Sequence, residues 1–313
     1  MMLRFITLIF TAWLVMTTYS PFAEGHEDQN VLLIVKMQNE SVLPRHFRTT
    51  KDAFLIQTSP FPSRKGLDDL KVAGSGQFSE AALKFILEHL GNPKSLVIVD
   101  LRQEPHGFVN GSAVTWFIPG NLKNEGKNLE QIEFEESKLL QIAKKKKTIE
   151  LHKILKKDPS EKTLPKTTAF PVNVSATQSE IELAQSLGLG YVRFPVTDHL
   201  RPMDEAVNDF VKFARNLPED TWLLMHCLGG AGRTTTFMIM YDMMKNSKEV
   251  AYEDIINRHW YLGGVNLNVV SANPHKHESS LEKIHFLKDF YNYCKNNNDG
   301  FKQTWLDYLK TKP

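Results

Sequence analysis

The chain has 313 residues, and its share of charged residues (24%) and hydrophobic residues (42%) is ordinary for a soluble globular protein. The length suffices for one large domain with its own core and an elaboration. A formal net charge of +2 supplies no general attraction for polyanions. Nothing here predicts nucleic-acid binding, and a highly charged ligand would have to be held by local clusters of charge.

The N-terminus predicts an exported protein. Arg4 precedes an apolar run over residues 5–16, and small and polar residues follow to Ala23, which is the layout of a secretory signal peptide. The run is short for a membrane span, so an uncleaved anchor is only the alternative. We expect residues 1–23 to be a signal peptide and residues 24–313 to fold. The mature protein would then reach the periplasm or the medium, without stable membrane association.

Two apolar runs predict strands in the first half, at residues 31–37 (VLLIVKM) and 95–99 (SLVIV). Between them, Ser79 is placed to cap an amphipathic helix. Asp100 and Arg102 directly follow the second strand, at the end where open α/β sheets place their ligand sites. The two residues are therefore either substrate contacts or a structural ion pair.

A polar, lysine-rich composition extends from residue 120 to 165 and includes the run KKKK at 144–147. Such runs are usually solvated, although some of these lysines could rim a pocket. The alternation of Ile149 and Leu151 predicts a strand in a small inserted β-rich subdomain around residues 120–170.

A loop with an acidic residue follows in the second half. Thr177 and Glu180 have capping-box spacing and predict a helix start, and residues 191–196 predict a strand. Asp198 and His199 then lie in a loop. Asp198 could act as an acid there, or it could cap the next helix. His199 could bind a phosphate or orient the loop.

The stretch from Met225 to Thr235 (MHCLGGAGRTT) predicts a phosphate-binding loop between a strand and a helix. Its glycines permit positive φ values, so successive N–H groups can turn inward at a helix N-terminus and bind an anion. The amides that would form this cradle belong to Leu228, Gly229, Gly230, Ala231 and Gly232. Cys227 lies at the rim of the same positive field, which favours the nucleophilic thiolate.

The residues around Cys227 complete a phosphoryl-transfer site. Arg233 offers a planar fork of donors for two phosphate oxygens. Thr234 could donate to the thiolate, and His226 could hold the carbonyls of the loop. Asp198 would protonate the leaving oxygen and later activate water. The alternative, a buried cysteine beside an ordinary turn, does not account for so many residue types at fixed spacing.

The pattern HCxxGxxR(S/T) at residues 226–234 resembles the signature of cysteine-dependent protein-tyrosine-phosphatase-like (PTP-like) enzymes. The segments DLRQEPHG (100–107) and VTDH (196–199) are similar to the bacterial PTP-like phytases, which dephosphorylate myo-inositol hexakisphosphate. The resemblance runs from about residue 43 to the C-terminus. It implies an α/β PTP-like fold with a central, mostly parallel sheet flanked by helices, and a phosphocysteine mechanism that needs no metal and no cofactor.

The resemblance also implies cations outside the loop that meet the remaining phosphates of the substrate. Arg48 matches a substrate-contacting arginine of an FR element, and Lys276 matches a substrate-binding lysine before a last helix that we predict from residue 281. Asp100 would touch the substrate or order neighbouring cations, and Arg102 and His199 would supply further positive charge. A solvated or structural role is the alternative for each of them.

Leu228 departs from the family, in which a glutamate commonly follows the nucleophilic cysteine. Without this carboxylate, the phosphate of the ring that binds first could differ from that in the family. The phosphoryl-transfer reaction itself does not depend on it. Two other functions stay open at this point. One is a phosphotyrosine or phosphoinositide phosphatase, although the glutamine motif usual for phosphotyrosine enzymes is missing from the sequence. The other is a non-catalytic protein that binds inositol phosphates or a phosphoprotein.

Cys294 is the second of the two cysteines. It shares a predicted helical face with Ile284, Leu287 and Tyr291, which indicates a buried, inert thiol. A regulatory disulfide with Cys227 is the alternative in an exported protein, but an active Cys227 must stay free.

Overall fold

The computed structural model describes residues 31–119, 123–156, 158 and 163–311. The predicted signal peptide therefore lies outside the described residues. The strands are β1 (Leu32–Met37), β2 (Arg48–Thr49), β3 (Val72–Ser75), β4 (Leu96–Arg102), β5 (His106–Val109), β6 (Ser112–Phe117), β7 (Thr148–Lys156), β8 (Lys166–Asn173), β9 (Thr177–Gln178), β10 (Gly190–Val196) and β11 (Trp222–His226). The helices are α1 (Glu80–His89), α2 (Leu129–Lys145), α3 (Glu180–Ser186), α4 (Asp204–Arg215), α5 (Gly232–Asn246), α6 (Tyr252–Tyr261), α7 (Pro274–Asn296) and α8 (Trp305–Thr311).

A five-stranded sheet in the order β10-β4-β11-β3-β2 forms the centre of the fold. Its first four strands are parallel, and only β2 runs antiparallel, against β3. The apolar side chains of β4 and β11 are buried on both faces, as expected for parallel strands covered by helices. His226 at the end of β11 pairs with Asp100 of β4, so both lie at the carboxyl edge of the sheet. The predicted mostly parallel α/β sheet is confirmed.

A second sheet has the order β8-β7-β1-β6-β5-β9 and is antiparallel except where β1 meets β7. The strand predicted from Ile149 and Leu151 is β7. The sheet draws β7 and β8 from the region around 120–170 in which an inserted subdomain was predicted, and it draws its other strands from outside that region. It packs on α2 through Trp116, Leu140 and Leu151, which form a separate small core.

The largest core lies between the five-stranded sheet and helices α4 to α8. Helix α5 is buried on nearly every side, so its sequence TTTFMIMYDMM lacks a polar face. Cys294 is buried in this core with 2% of its surface exposed, as predicted, and burial raises the pKa of its thiol. Both cysteines are free. Among the described residues, no helix has the length and apolarity needed to cross a membrane.

Two helix starts differ from the sequence prediction. Thr177 and Gln178 pair with β5 as β9, so the capping box is formed by Ser179 and Glu182 instead of Thr177 and Glu180. Helix α7 begins at Pro274, seven residues before the predicted Leu281 (281 − 274 = 7). Its first turn is stabilised because the Asn273 side chain accepts from the His275 amide (3.0 Å) and Pro274 occupies the first helical position.

Candidate active site

A cavity of about 420 Å³ lies over the loop between β11 and α5, and the second sheet forms its opposite wall. The loop side comprises Cys227, Leu228, Gly229, Ala231, Gly232 and Arg233, with Asp198, His199, Arg45, His46 and Val265 beside it. The opposite wall comprises Lys36 of β1, Phe117 of β6 and Ile154 of β7, followed by Asp158, Thr163 and Pro165. The five-stranded sheet therefore supplies the reactive groups, and the second sheet closes the space above them.

Cys227 follows β11 directly and exposes only 3% of its surface, at the floor of the cavity. Thr234, in the first turn of α5, donates to the Cys227 sulfur over 3.2 Å. This is the contact expected from the sequence, and a hydrogen bond to the sulfur stabilises the thiolate form. The thiol is thus held at a helix N-terminus with a donor beside it.

Arg233 is fixed by two carboxylates. Its guanidinium donates to both oxygens of Glu104 (2.7 and 3.0 Å) and lies 3.1 Å from Asp198, and it also donates to the Val196 carbonyl (3.0 Å). Burial alone would lower the pKa of Arg233, but Asp198 and Glu104 raise it above its usual range. The predicted clamp and the predicted acid are therefore in direct contact.

Glu104 is a site residue that the sequence analysis missed. Its side chain is fully buried, and it also accepts from Arg102 (2.9 Å). Burial alone would raise the pKa of Glu104, but Arg233 and Arg102 hold it well below its usual range. The only signal for this residue was its place in the DLRQE segment, because its partner Arg233 is 129 positions away.

The carbonyl groups of the loop are bound by three residues at the start of β2 and directly before it. Arg45 donates to Leu228 O (2.9 Å), His46 to Gly229 O (2.6 Å) and Arg48 to Gly230 O (2.8 Å). Since three successive carbonyls are bound by these donors, the amides of the loop can turn toward the cavity, as the predicted anion cradle requires. His226 was expected to hold these carbonyls, but its Nε2 instead donates to Glu180 (2.5 Å).

Gly230 is the loop glycine that the backbone requires. It has φ +72°, and a Cβ atom at this position would lie 2.3 Å from the Gly76 nitrogen. Gly229 and Gly232 do not have positive φ values, and a Cβ on either would meet only atoms at 3.9 Å or beyond. Of the three loop glycines that were predicted to permit positive φ values, only Gly230 has one.

Three predicted substrate contacts lie in the scaffold behind the loop. Arg48 exposes 2% of its surface, and Asp100 and Arg102 expose none. Arg48 also donates to Thr235 (2.9 Å), and Asp100 pairs with Arg193 (3.0 Å). None of the three lines the cavity. This placement corrects the expected contact with substrate, because the three side chains lie behind the loop and, unlike Arg233, do not reach the cavity.

Lys283 is a buried cation beside the loop that the sequence analysis missed, and it does not itself line the cavity. It exposes 8% of its surface and donates to the His199 carbonyl (3.3 Å), and its Nζ would lie 4.0 Å from a Cβ on Gly232. Burial lowers the pKa of Lys283 to about 8, against the opposing effect of Asp198. Lys276 lies in the first turn of α7 and does not line the cavity. Lys283 lay within the helix predicted from residue 281, but its burial against the loop depends on contacts that are distant in sequence.

Asp100, Glu180 and His226 place three possible metal-ligand atoms within 4.8 Å of one another. Each is engaged with other groups of the chain: Asp100 with Arg193 and the Tyr191 hydroxyl (2.9 Å), and Glu180 with His226 itself. Because cationic and hydrogen-bond donor groups surround these carboxylates, the donor set fits a hydrogen-bonded network better than a metal centre.

The convergence of a cysteine, an arginine and an aspartate at a strand-loop-helix turn defines a site of the cysteine-phosphatase type. Residues 99–245 match the family model of the PTP-like phytases, described by the words inositol hexakisphosphate. A PTP-like phytase structure from Bdellovibrio bacteriovorus is 30% identical with a TM-score of 0.70, over 90% of this chain and 95% of that one. The chain belongs to the PTP-like phytase family.

Two further relatives are longer than this chain. One is the PTP-like myo-inositol phosphatase from Mitsuokella multacida, solved in complex with myo-inositol-(1,3,4,5)-tetrakisphosphate. It is 34% identical with a TM-score of 0.82, over 89% of this chain and 49% of that one. The other is effector protein hopD2 of Pseudomonas syringae pv. tomato, 34% identical over 293 residues, which are 90% of this chain and 60% of hopD2. The chain thus spans about half to three-fifths of their lengths.

Proposed function

We propose that this protein is a cysteine-dependent phosphatase that hydrolyses phosphomonoesters of myo-inositol polyphosphates. The observation that carries the proposal is the meeting of Cys227, Arg233 and Asp198 in one cavity, with Asp198 3.1 Å from Arg233. Membership of the PTP-like phytase family and the inositol tetrakisphosphate complex of the Mitsuokella relative support the substrate class.

In the first step the Cys227 thiolate attacks phosphorus, a P–S bond forms and the P–O ester bond breaks. The leaving alkoxide takes a proton from Asp198, which lowers the barrier because an unprotonated alkoxide is a poor leaving group. Arg233 and the loop amides hold the equatorial oxygens as charge develops on them. Thr234 donates to the sulfur and is placed to stabilise it as nucleophile and as leaving group.

In the second step Asp198, now a carboxylate, takes a proton from water as that water attacks the phosphocysteine. The P–S bond breaks, inorganic phosphate leaves, and the Cys227 thiolate is restored. Asp198 is suited to both steps because its side chain is 21% exposed, so leaving group and water can both reach it from the cavity.

Cations beyond the loop favour a substrate with several phosphates. Lys36, Arg45 and His46 line the catalytic cavity. A neighbouring cavity of about 360 Å³ shares Lys36 and Arg45 with it and adds Lys153, and none of the described residues that line this second cavity is acidic. Such clustering supplies the local attraction for a polyanion that the small net charge does not.

The test is phosphate release by the purified protein from three substrates at equal concentration: inositol hexakisphosphate, a phosphotyrosyl peptide and a phosphoinositide. We expect kcat/KM to be highest for inositol hexakisphosphate. A clear preference for either of the others would replace the proposed substrate class while leaving the cysteine mechanism in place. Binding of inositol hexakisphosphate without phosphate release from any substrate would indicate a non-catalytic protein.

A further inference from the structure

We propose that Glu180 is a positioning residue that holds the catalytic loop on both sides of Cys227. Glu180 is the first residue of α3 and exposes 2% of its surface. It does not line the catalytic cavity, so it would act only through other residues. The inference rests on the proposed function, because it concerns the loop that carries out that reaction.

The first contact is with the residue before the cysteine. His226 Nε2 donates to Glu180 Oε1 over 2.5 Å, while the nearest Asp100 oxygen is 3.8 Å away. The other ring nitrogen, Nδ1, is buried and has no hydrogen-bond partner among the described residues. Glu180 is therefore the main polar contact that fixes the imidazole ring, whose face otherwise meets Phe78 at 4.8 Å between centroids.

The second contact reaches the residue after the cysteine. Gln77 Nε2 donates to Glu180 Oε2 (3.0 Å), and the backbone amide of Gln77 donates to the Leu228 carbonyl (3.2 Å). One carboxylate thus connects to residues 226 and 228, on either side of the nucleophile. Since an error of about 1 Å in the position of a reacting atom can cost about a hundredfold in rate, such a two-point contact is relevant to catalysis.

Charge strengthens both contacts. Burial alone would raise the pKa of Glu180, but His226 and hydrogen bonds from His106 and His226 lower it to about 2. Glu180 is therefore ionised at neutral pH, and its hydrogen bonds are charge-assisted. Other ionisable groups also surround this pair: Asp100 and Arg102 of β4, His106 of β5, Tyr191 and Arg193 of β10, and Glu136 of α2. By holding residues 226 and 228, Glu180 keeps Cys227 beside the Thr234 hydroxyl and the N-terminus of α5, which are the groups that stabilise a thiolate.

The test replaces Glu180 with glutamine, which keeps the shape and removes the charge. Alkylation of Cys227 by iodoacetamide is followed against pH, since only the thiolate reacts. We expect the half-maximal rate of alkylation to move to higher pH in Glu180→Gln. We also expect kcat on inositol hexakisphosphate to fall about tenfold, with KM changed by less than about threefold. Glu182→Gln is the matched control, because Glu182 belongs to the same helix and contacts Ser179 instead of the loop.

A lower melting temperature with an unchanged alkylation profile and kcat would overturn the proposal, since it would mean that Glu180 serves stability alone. Gln77→Met removes the side-chain bond to Glu180 that links it to the Leu228 side of the loop, together with the bonds of Gln77 to Arg102 and the Phe78 carbonyl. It provides a test if Glu180→Gln does not fold. We expect a lower kcat in this variant, and a wild-type kcat would refute the two-point contact. The alkylation measurement needs no substrate. A shifted profile in a protein without activity on inositol phosphates would therefore overturn the proposed function and keep the role of Glu180.

Discussion

At the residue scale, the predicted phosphate clamp, Arg233, contacts the predicted acid, Asp198. Arg233 donates to both oxygens of Glu104 and lies 3.1 Å from Asp198. Glu104 fixes the orientation of the guanidinium by accepting from both of its terminal nitrogens. Asp198 belongs to a loop whose next residue, His199, has a positive φ of 66° and accepts from Lys283. The acid is thus positioned from two sides.

Asp198→Asn tests the acid role. The amide cannot protonate a leaving alkoxide, so kcat on inositol hexakisphosphate should fall about a hundredfold or more. An aryl phosphate with an acidic leaving group needs no proton, and its turnover should fall much less. Steady-state kinetics on both substrates decides this, with Asp204→Asn as the control on the neighbouring helix. Equal losses on both substrates would remove Asp198 from the acid role.

Lys283 predicts a pH dependence of substrate binding. Its pKa of about 8 lies below the usual lysine value, so the ammonium group loses its charge as the pH rises through about 8. Attraction for a polyanion is then lost, and KM for inositol hexakisphosphate should rise above that pH. Lys283→Met should raise KM about tenfold at neutral pH and remove this rise.

The control for Lys283 is Lys288→Met, an exposed position on the same helix. KM is measured from about pH 6 to about pH 9 for the three proteins. If Lys283→Met keeps the alkaline rise of the wild type, the dependence has another source and the assignment to Lys283 fails.

At the element scale, contacts with neighbouring segments determine the conformation of the catalytic loop. Its carbonyls are bound by Arg45, His46 and Arg48, and its turn passes close to the end of β3 at Ser75 and Gly76. The strand-loop-helix form follows from local pattern: an apolar strand, a glycine turn and a helix. The donors that bind the loop carbonyls come from a segment that lies 182 and 183 positions earlier in the chain.

Gly230→Ala tests how strongly the loop is constrained. A Cβ at this position would lie 2.3 Å from the Gly76 nitrogen, and φ +72° is itself unfavourable for alanine. We expect the free energy of unfolding to drop by about 2 kcal/mol or more. Gly229→Ala is the matched control, because its Cβ would meet atoms only at 3.9 Å or beyond. Similar stability of the two variants in chemical denaturation would show that the loop can relax around the added methyl group.

The local sequence was sufficient to predict several strands, the helix after the loop and the three reacting groups. The predicted strands and the helix after the loop are confirmed within a few residues, because apolar periodicity and glycine turns act locally. Local sequence could not predict contacts between residues that are far apart in the chain. For Arg48 and Arg102 the sequence left substrate contact and a structural role open, and both are buried beside carbonyls and carboxylates. Nothing in the sequence indicated that Lys283 is buried beside the loop. Helix α2 was not predicted because its region is polar, although Asn128 and Gln131 form a capping box there.

At the scale of the whole molecule, the cavity belongs to both sheets. The five-stranded sheet presents Cys227, Arg233 and Asp198 at its carboxyl edge, and β1, β6 and β7 of the second sheet contribute Lys36, Phe117 and Ile154 opposite them. The second sheet has its own small core, centred on residues such as Trp116 and Leu140. The second sheet thus completes the lining of the cavity and adds one cation to it, Lys36.

The proposed chemistry needs no metal ion, because Cys227, Arg233 and Asp198 supply the nucleophile, the charge and the proton. The protein's own groups already engage Asp100, Glu180 and His226. We therefore expect phosphate release to be unchanged, within about twofold, after prolonged dialysis against a strong chelator. Loss of activity that returns with one added divalent ion would contradict this account.

The most direct test of the central claim is phosphate release from inositol hexakisphosphate by Cys227→Ser, with Cys294→Ser as the matched control. A serine hydroxyl is far less nucleophilic than a thiolate, so we predict that Cys227→Ser releases no phosphate above background while still binding the substrate. Cys294 lies in the core, and its replacement should lower stability but leave turnover measurable. Appreciable turnover by Cys227→Ser would contradict the thiolate mechanism.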